Sequence, residues 1–381
     1  MKKYTAQLLH INPLVLPINH NLPRLFFTVT NDLSYDQRMN RICSSLANNG
    51  YAVTLIGRKL RASPVLEKKS FKQIRLTCFF NKGFLFYAEF NLRLFFFLLF
   101  ARVDGICAID LDTILPCYFV SLLRGRKRIY DAHELFCEMK EVVSRPGRYK
   151  AWKFIERNTL PHFKHAYTVN EYLAQTFQQL YGYHYEVIRS ISVYEPHADT
   201  PREKFILYQG AVNEGRCFET LIPAMGLVEA KLIICGDGNF MSQAQKIVNE
   251  NKLQDKIIFK GMLLPEELKS FTRKAWVGIT LFDKESKSNY YSLANRFFDY
   301  IHAGLPQVCV NYPVYAEIIK KYKIAKLVDD TRPETLANGI RFLLDNAEAW
   351  ENMHEHCKSA AAILSWQEEE KKLLAFYNKL W

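Results

Sequence analysis

Apolar runs of four to seven residues alternate with apolar positions spaced as on a helix along most of this chain. Arg24 to Thr30 (RLFFTVT) predicts a buried strand, and Met39, Ile42, Cys43, Leu46 and Ala47 follow at helical spacing. Asn49-Gly50 ends that helix and Ala52 to Ile56 is the next strand. Gly105 to Asp110, Arg128 to Tyr130, His165 to Val169 and Tyr185 to Arg189 continue the series, with Asn170 placed to cap a helix reaching Leu180. Ser192 to Glu203 is polar, holds two prolines, and predicts a linker. The pattern then restarts. Phe205 to Gln209, Lys231 to Cys235, Ile257 to Lys260, Val277 to Phe282 and Gln307 to Val310 are strands. Phe218 to Met225, Pro265 to Thr272 and Trp366 to Trp381 are helices. Strands separated by helices and followed by glycines specify parallel sheets that bind ligands at their carboxyl edges.

The stretch Leu281 to Pro306 carries the clearest chemistry. A strand end leads through a polar loop (Lys284 to Asn289) into a helix expected near Ser292, with Leu293, Phe297, Phe298 and Ile301 toward the core. Gly304 can take the left-handed cap and Pro306 cannot continue the helix. Free N–H groups in a helix's first turn suit a phosphate. Asp299 could accept hydrogen bonds from vicinal hydroxyls such as those of a ribose. The plain alternative is a solvated helix carboxylate with Arg296 as its surface neighbour.

Composition narrows the classes. With 381 residues, 49% of them hydrophobic, the chain can bury two or three full cores. The nine cysteines are scattered without a CxxC pair and read as buried thiols of a reducing compartment. The start, MKKYTAQLLHINPLVLPINHNLP, is a poor secretory signal, so a cytoplasmic location is expected. The net charge of +12 is uneven. Residues 1–200 hold 27 Lys and Arg against 16 Asp and Glu, a net +11, whereas residues 201–381 stand at +1. An anionic membrane surface and nucleic acid are the candidate partners for the basic half. Nucleic acid is set aside, since no zinc finger or RRM-like run occurs and the aromatics sit in apolar segments.

Phe84 to Arg102 is the most apolar segment, interrupted by Glu89 and Arg93. It reads either as a core helix or as a face lying on lipid, aided by the basic tract Arg124 to Arg128. The loop Asn31 to Arg38 lacks GxGxxG and offers Asp36 and Arg38 for sugar hydroxyls or a phosphate, unless both are merely solvated. Asp110-Leu111-Asp112 and Asp131-Ala132-His133-Glu134 place acids at strand ends, but no second histidine lies at ligand spacing, so no metal site is expected. His133 is either a substrate contact or a structural hydrogen bonder. In the second half, Gly210, Gly215, Gly236 and Gly238 follow strands and allow a diphosphate near the backbone, with Arg216 to neutralise it.

The motifs YQGAVNEGR, CGDG and NRFFDYIHAGLP, with VTNDLSYDQRM and YDAHE in the first half, resemble the GT-B glycosyltransferases, specifically a bacterial subgroup of the family-4 retaining branch. The resemblance runs from about Leu25 to the end. It implies an α/β fold of two Rossmann-like domains facing across a cleft: 1–195 on the acceptor side, 204–365 holding the nucleotide sugar, and a helix, 366–381, returning to the first domain. Arg216 matches the diphosphate clamp, in the loop of Gly210 and Gly215. Gly236 and Gly238 lie under the nucleotide. Backbone N–H groups from Ser292 through Leu293 to Asn295 face the leaving diphosphate, Asp299 binds the ribose, and His133 lies near the donor sugar. Asp36 and Arg38 fall on the acceptor side. Two positions depart from the family. Ala211 stands where many members carry a second basic residue, and Tyr291 replaces the acid that contacts the donor sugar. The implied activity is retaining, metal-independent transfer from a nucleoside-diphosphate sugar, with no separate cofactor. The acceptor is a glycan or lipid-linked glycan of cell-surface polysaccharide or glycolipid synthesis, met at the inner face of the plasma membrane. A sugar-nucleotide epimerase and a non-catalytic nucleotide-sugar-binding scaffold share the same fold.

Overall fold

The computed structural model describes residues 23–34 and 36–381; the poor leader read in the first 22 residues lies outside them. Seven strands form the first sheet: β1 Arg24–Thr28, β2 Ala52–Lys59, β3 Lys72–Thr77, β4 Gly105–Ile109, β5 Lys127–Ala132, β6 His165–Thr168 and β7 Glu186–Val187. Six form the second: β8 Phe205–Gln209, β9 Lys231–Cys235, β10 Ile257–Gly261, β11 Val277–Thr280, β12 Gln307–Val310 and β13 Ala325–Val328. Their spatial orders are β3-β2-β1-β4-β5-β6-β7 and β10-β9-β8-β11-β12-β13. All pairings are parallel. Strand order reverses between β1 and β4 in one sheet and between β8 and β11 in the other. At such a switch point the flanking connections leave in opposite directions and open a crevice at the carboxyl ends. This α/β arrangement is the two-domain Rossmann-like fold expected from the sequence.

Successive β1 side chains enter different cores. Phe26 joins the cluster under helix Gly83–Phe100, while Leu25 and Phe27 face the opposite side with helix Gln37–Asn48. The last helix, Trp366–Asn378, belongs to that second side. Leu373, Phe376 and Tyr377 pack there, and the indole N–H of Trp366 donates to Ser45 Oγ at 3.0 Å. Gly105 has no side chain because the Trp381 ring would lie 2.7 Å from its Cβ. Beside the linker, Trp366 N donates to Ser192 O, and Glu369 accepts from Arg189 N at 2.9 Å. Two chain segments therefore join the domains side by side.

One strand was missed and two expectations need correction. The edge strand β3 escapes the sequence pattern: Lys72, Gln73 and Arg75 break its apolar run, and no residue in it is fully buried. Helix Gly83–Phe100 is neither wholly core nor wholly surface. Phe86, Phe90, Leu94 and Leu98 are buried at intervals of four, and Phe84, Leu85, Leu92, Phe96 and Phe100 are exposed. By length and composition this helix could cross a membrane, but here its buried stripe packs on the first sheet. Finally, the helix expected from Ser292 begins at Asn295 and runs to His302, after a separate single turn, Lys287–Tyr290. Ser286 caps that turn through Asn289 N, and Ser292 closes it by donating both N–H and hydroxyl to Asn289 O. All nine cysteines are free thiols, eight of them buried.

Candidate functional site

Two of the four glycines expected to admit a diphosphate admit other backbone instead. A Cβ on Gly236 would stand 1.8 Å from Gly210 O, and one on Gly238 would stand 2.4 Å from Val212 O. The loops after β8 and β9 are thus packed on each other, fixed by Gly210 N to Cys235 O and Val212 N to Asp237 O. Gly215 sits at φ 79° against the side chains of Asn289 and Asp283, a conformation and a clearance that require glycine. This packing holds Arg216 in place. Its Nη1 donates to Asn289 Oδ1 at 2.9 Å, and Cζ lies 4.5 Å from the Phe282 ring centre. Burial and the nearby Arg296 lower its pKa from the usual arginine value. Among the described residues no carboxylate pairs with Arg216.

Asp299 projects from helix Asn295–His302 to the hinge side. Oδ1 accepts from Ser192 Oγ at 2.5 Å and Oδ2 from Gln209 Nε2 at 3.0 Å. Burial raises its pKa, and the Ser192 hydrogen bond opposes that rise. Of the backbone donors assigned to the diphosphate, Ser292 N already binds Asn289 O, and Ala294 N binds Tyr315 Oη at 3.0 Å. Leu293 and Asn295 remain, the latter at the helix start where N–H groups have no intrahelical acceptor.

Across the cleft, the β4 and β5 ends assemble a buried polar network. Asp110 lies in the left-handed region (φ 53°), rare for a non-glycine residue, and its Oδ1 accepts from His133 N at 2.9 Å. Burial raises Asp110 to about 7 and Asp112 to about 6; the latter accepts from the Thr30 hydroxyl. Burial would lower His133, but Asp131 and Asp110 outweigh it and raise the pKa to about 9. The hydrogen-bond geometry pulls the other way. Arg38 Nε donates to His133 Nε2 at 2.8 Å, which a protonated Nε2 would repel. Nδ1, 3.5 Å from Asp110 Oδ2, is therefore the protonated nitrogen, and an imidazolium needs Arg38 to withdraw.

The acceptor-side pair is placed differently from the sequence expectation. Asp36 is the N-cap of helix Gln37–Asn48, accepting from Met39 N and Asn31 Nδ2. Arg38 is not a loop residue but lies within that helix. It is buried and donates to Asp131 at 2.8 Å, so it orients the network rather than facing solvent.

The two halves meet through the segment before helix Asn295–His302. Ser288 Oγ donates to Glu134 at 2.8 Å, and Asn170 Nδ2 donates to Tyr291 O at 2.8 Å. Tyr291 stacks on Tyr172 with centroids 5.7 Å apart, and Lys140 pairs with Glu285 at 3.0 Å. Beside this contact lies a cavity of about 450 Å³, walled mostly by the first domain (Leu111, Phe136 and Phe177 among others) and closed by Tyr291 of the second.

Residues 195–362 match the family of glycosyl transferases group 1. That part of the chain is a group 1 glycosyltransferase domain. The whole chain has the GT-B fold, as its similarity to solved structures shows. Sucrose-phosphate synthase from Thermosynechococcus elongatus superposes with a TM-score of 0.77 at 16% identity, covering 94% of this chain and 99% of that one. HepE from Anabaena, in complex with UDP and glucose, gives 0.73 at 12% identity, covering 93% and 99%. WaaG, a glycosyltransferase involved in lipopolysaccharide biosynthesis, gives 0.70 at 14%, covering 91% and 98%. No curated protein matches the chain by sequence.

Three polar residues near these side chains were not singled out as site residues. Asn289 orients Arg216, and Glu134 receives the loop that carries Asn289. Arg296, read as a surface neighbour of Asp299, is buried. Its sequence signal was slight: in NRFFDYIH it falls one residue before Phe297, on the stripe edge that points toward β8.

Proposed function

We propose that the glycosyltransferase moves a sugar from a nucleoside-diphosphate donor to a hydroxyl of a glycan or lipid-linked glycan, with retention at the anomeric carbon and without a metal ion. The observation that carries this reading is Arg216, a half-buried guanidinium with no carboxylate partner among the described residues, at the β8/β11 switch point. A cation held there is matched to the charge that grows on a diphosphate as its glycosidic bond breaks. Asp299 takes the ribose hydroxyls in place of Ser192 and Gln209. His133, on the opposite wall, lies near the donor sugar, with its ring held by Arg38 and Asp110. The acceptor approaches over the first domain, whose exposed phenylalanines and positive charge favour an anionic membrane surface on the cytoplasmic side. HepE, which has this fold, is described in complex with UDP and glucose, which supports a nucleotide-sugar donor.

The test is release of nucleoside diphosphate from a panel of UDP-, GDP-, ADP- and dTDP-sugars, with and without lipid-linked acceptors, in EDTA. Acceptor-dependent release with chelator present, and a product of unchanged anomeric configuration, is expected. Dependence on magnesium or manganese, or inversion, would overturn the corresponding part of the reading. Donor conversion without any acceptor would indicate a sugar-nucleotide epimerase instead.

A further inference from the structure

Arg296 carries a buried charge that the fold does not neutralise. The residue is 7% exposed, and among the described residues no carboxylate forms an ion pair with it. Nη1 donates to Tyr208 Oη at 3.0 Å and Gln209 O at 3.4 Å, and Nη2 to Leu281 O at 3.3 Å. Nε, also buried, has no partner among the described residues. Hydroxyl and carbonyl dipoles satisfy N–H groups but leave the net charge in place. The rings of Tyr208 and Phe282, 4.6 and 4.9 Å from Cζ, offset only part of the desolvation. Keeping an unpaired cation in such a place is costly unless an anion visits it.

Its location says which anion. Nη1 stands 3.2 Å from where a Cβ of Gly210 would be, so the guanidinium lies against the loop that leaves β8. Arg216 lies over the same Phe282 ring. Between Gly210 and Arg216 in sequence, Ala211 leaves uncharged the position at which the resembling family often has its second cation. Tyr208 links these parts. Its hydroxyl accepts from Arg296 and donates to Ala211 O at 2.7 Å, fixing the guanidinium relative to the loop backbone. A guanidinium tied at three points has already lost its rotamer freedom before a ligand arrives.

We propose that Arg296 supplies the second positive charge of the diphosphate site, delivered from the helix behind Gly210 in place of a side chain at position 211. The proposal rests on the donor reading above. It makes the site selective for two phosphoryl groups over one or none, since Arg216 and Arg296 together counter a charge that neither nucleoside nor monophosphate brings in full. Arg296 is a binding and positioning residue and takes no part in proton transfer.

Calorimetric titration of UDP, GDP, ADP and their nucleosides into wild type, R296Q and R216A tests it. The amide introduced by R296Q keeps donors for the surrounding acceptors and removes the charge. For the base that binds wild type, the ratio of diphosphate to nucleoside affinity is expected to fall on the order of 10- to 100-fold in R296Q, with nucleoside affinity unchanged within about threefold. R216A should keep a ratio of about 10 or more, because the second cation remains. A wild-type ratio in folded R296Q overturns the proposal. So does a ratio near one in R216A, a measurement that does not depend on R296Q folding. If no diphosphate binds wild type, the donor reading itself fails and takes the proposal with it.

Discussion

Ser288 in the second domain donates its hydroxyl to Glu134, just past the end of β5, 2.8 Å away across the cleft. The turn that carries Ser288 also carries Asn289, which holds Arg216, and leads directly into Tyr291, which stacks on Tyr172. The position of Arg216 and the contact between the two domains are consequently set by one short segment.

Removing the Tyr291 ring should loosen that contact. An aromatic pair contributes about 0.5–1.5 kcal/mol beyond its buried area, so Tyr291→Ala should shift the open-to-closed ratio by roughly 2- to 13-fold. Small-angle scattering of the free protein should then give a larger radius of gyration than wild type. An unchanged radius would mean that the hinge segments, not this stack, hold the domains together.

Arg216→Ala should lower turnover on the order of 10²-fold, because its partner charge is greatest in the transition state, while acceptor binding changes little. Asn289→Ala should give a smaller loss in the same direction, since it frees the guanidinium without removing it. Single-turnover rates at saturating donor separate these effects from simple loss of donor affinity. A folded Arg216→Ala enzyme with wild-type turnover would remove Arg216 from the site.

Much of this could be read from the sequence, and the limits have physical causes. Strands such as β8, β9 and β12 are continuous apolar runs because both faces of a parallel sheet are covered, and their positions were plain. The edge strand β3 has one partner and a half-exposed face, so its pattern is diluted by Lys72 and Arg75. Arg216 was legible as a cation after glycines. Arg296 was not, because a helical arginine beside an acid normally points to solvent, and only the three-dimensional approach of Tyr208 and Phe282 reveals its burial. Arg38 misled for the opposite reason. It follows a polar loop, but Asp131, which is 93 residues away in the chain, draws it inside.

Stability should fall as pH rises, with the cause in the first-domain network. Asp110 moves from an ordinary value of 3.8 up to about 7 on folding, so the folded state binds more protons between those values. A penalty absent below pH 4 therefore accumulates up to about 7. His133, raised from 6.5 to about 9, acts in the same direction: its contribution is complete below 6.5 and lost as pH passes 9. Arg38 opposes the imidazolium, so the larger slope belongs to the Asp110 window. Asp110→Asn, which still accepts from His133 N, should flatten the dependence of the melting temperature between pH 5 and 7 and raise it at pH 8. An undiminished slope in that variant would assign the effect to other groups.

The exposed face of helix Gly83–Phe100 gives the last prediction. Phe84 and Phe100 are 83% and 80% exposed, and Phe96 is 49% exposed, with Leu122 and Leu123 on the helix packed beside it. The basic tract keeps most of its charge but ties three of its side chains to the protein. Arg124 donates to Leu98 O and Ala101 O at the helix end, Arg126 pairs with Asp104, and Arg128 stacks on Tyr118. Lys82 and Arg102 remain exposed, and each such cation near a surface is worth about 1 kcal/mol. Binding to vesicles containing phosphatidylserine should therefore show a modest salt-sensitive part and a larger salt-resistant part from inserted aromatics. Phe95 and Phe97 are unsuitable probes, since both pack partly against the first core and Phe97 lies 6.2 Å from Phe26. Replacing Phe84, Phe96 and Phe100 with serine should leave the melting temperature within a few degrees of wild type and abolish the salt-resistant binding. If that variant is folded and binds vesicles in high salt as well as wild type does, this face does not enter lipid, and the membrane part of the proposed function is wrong.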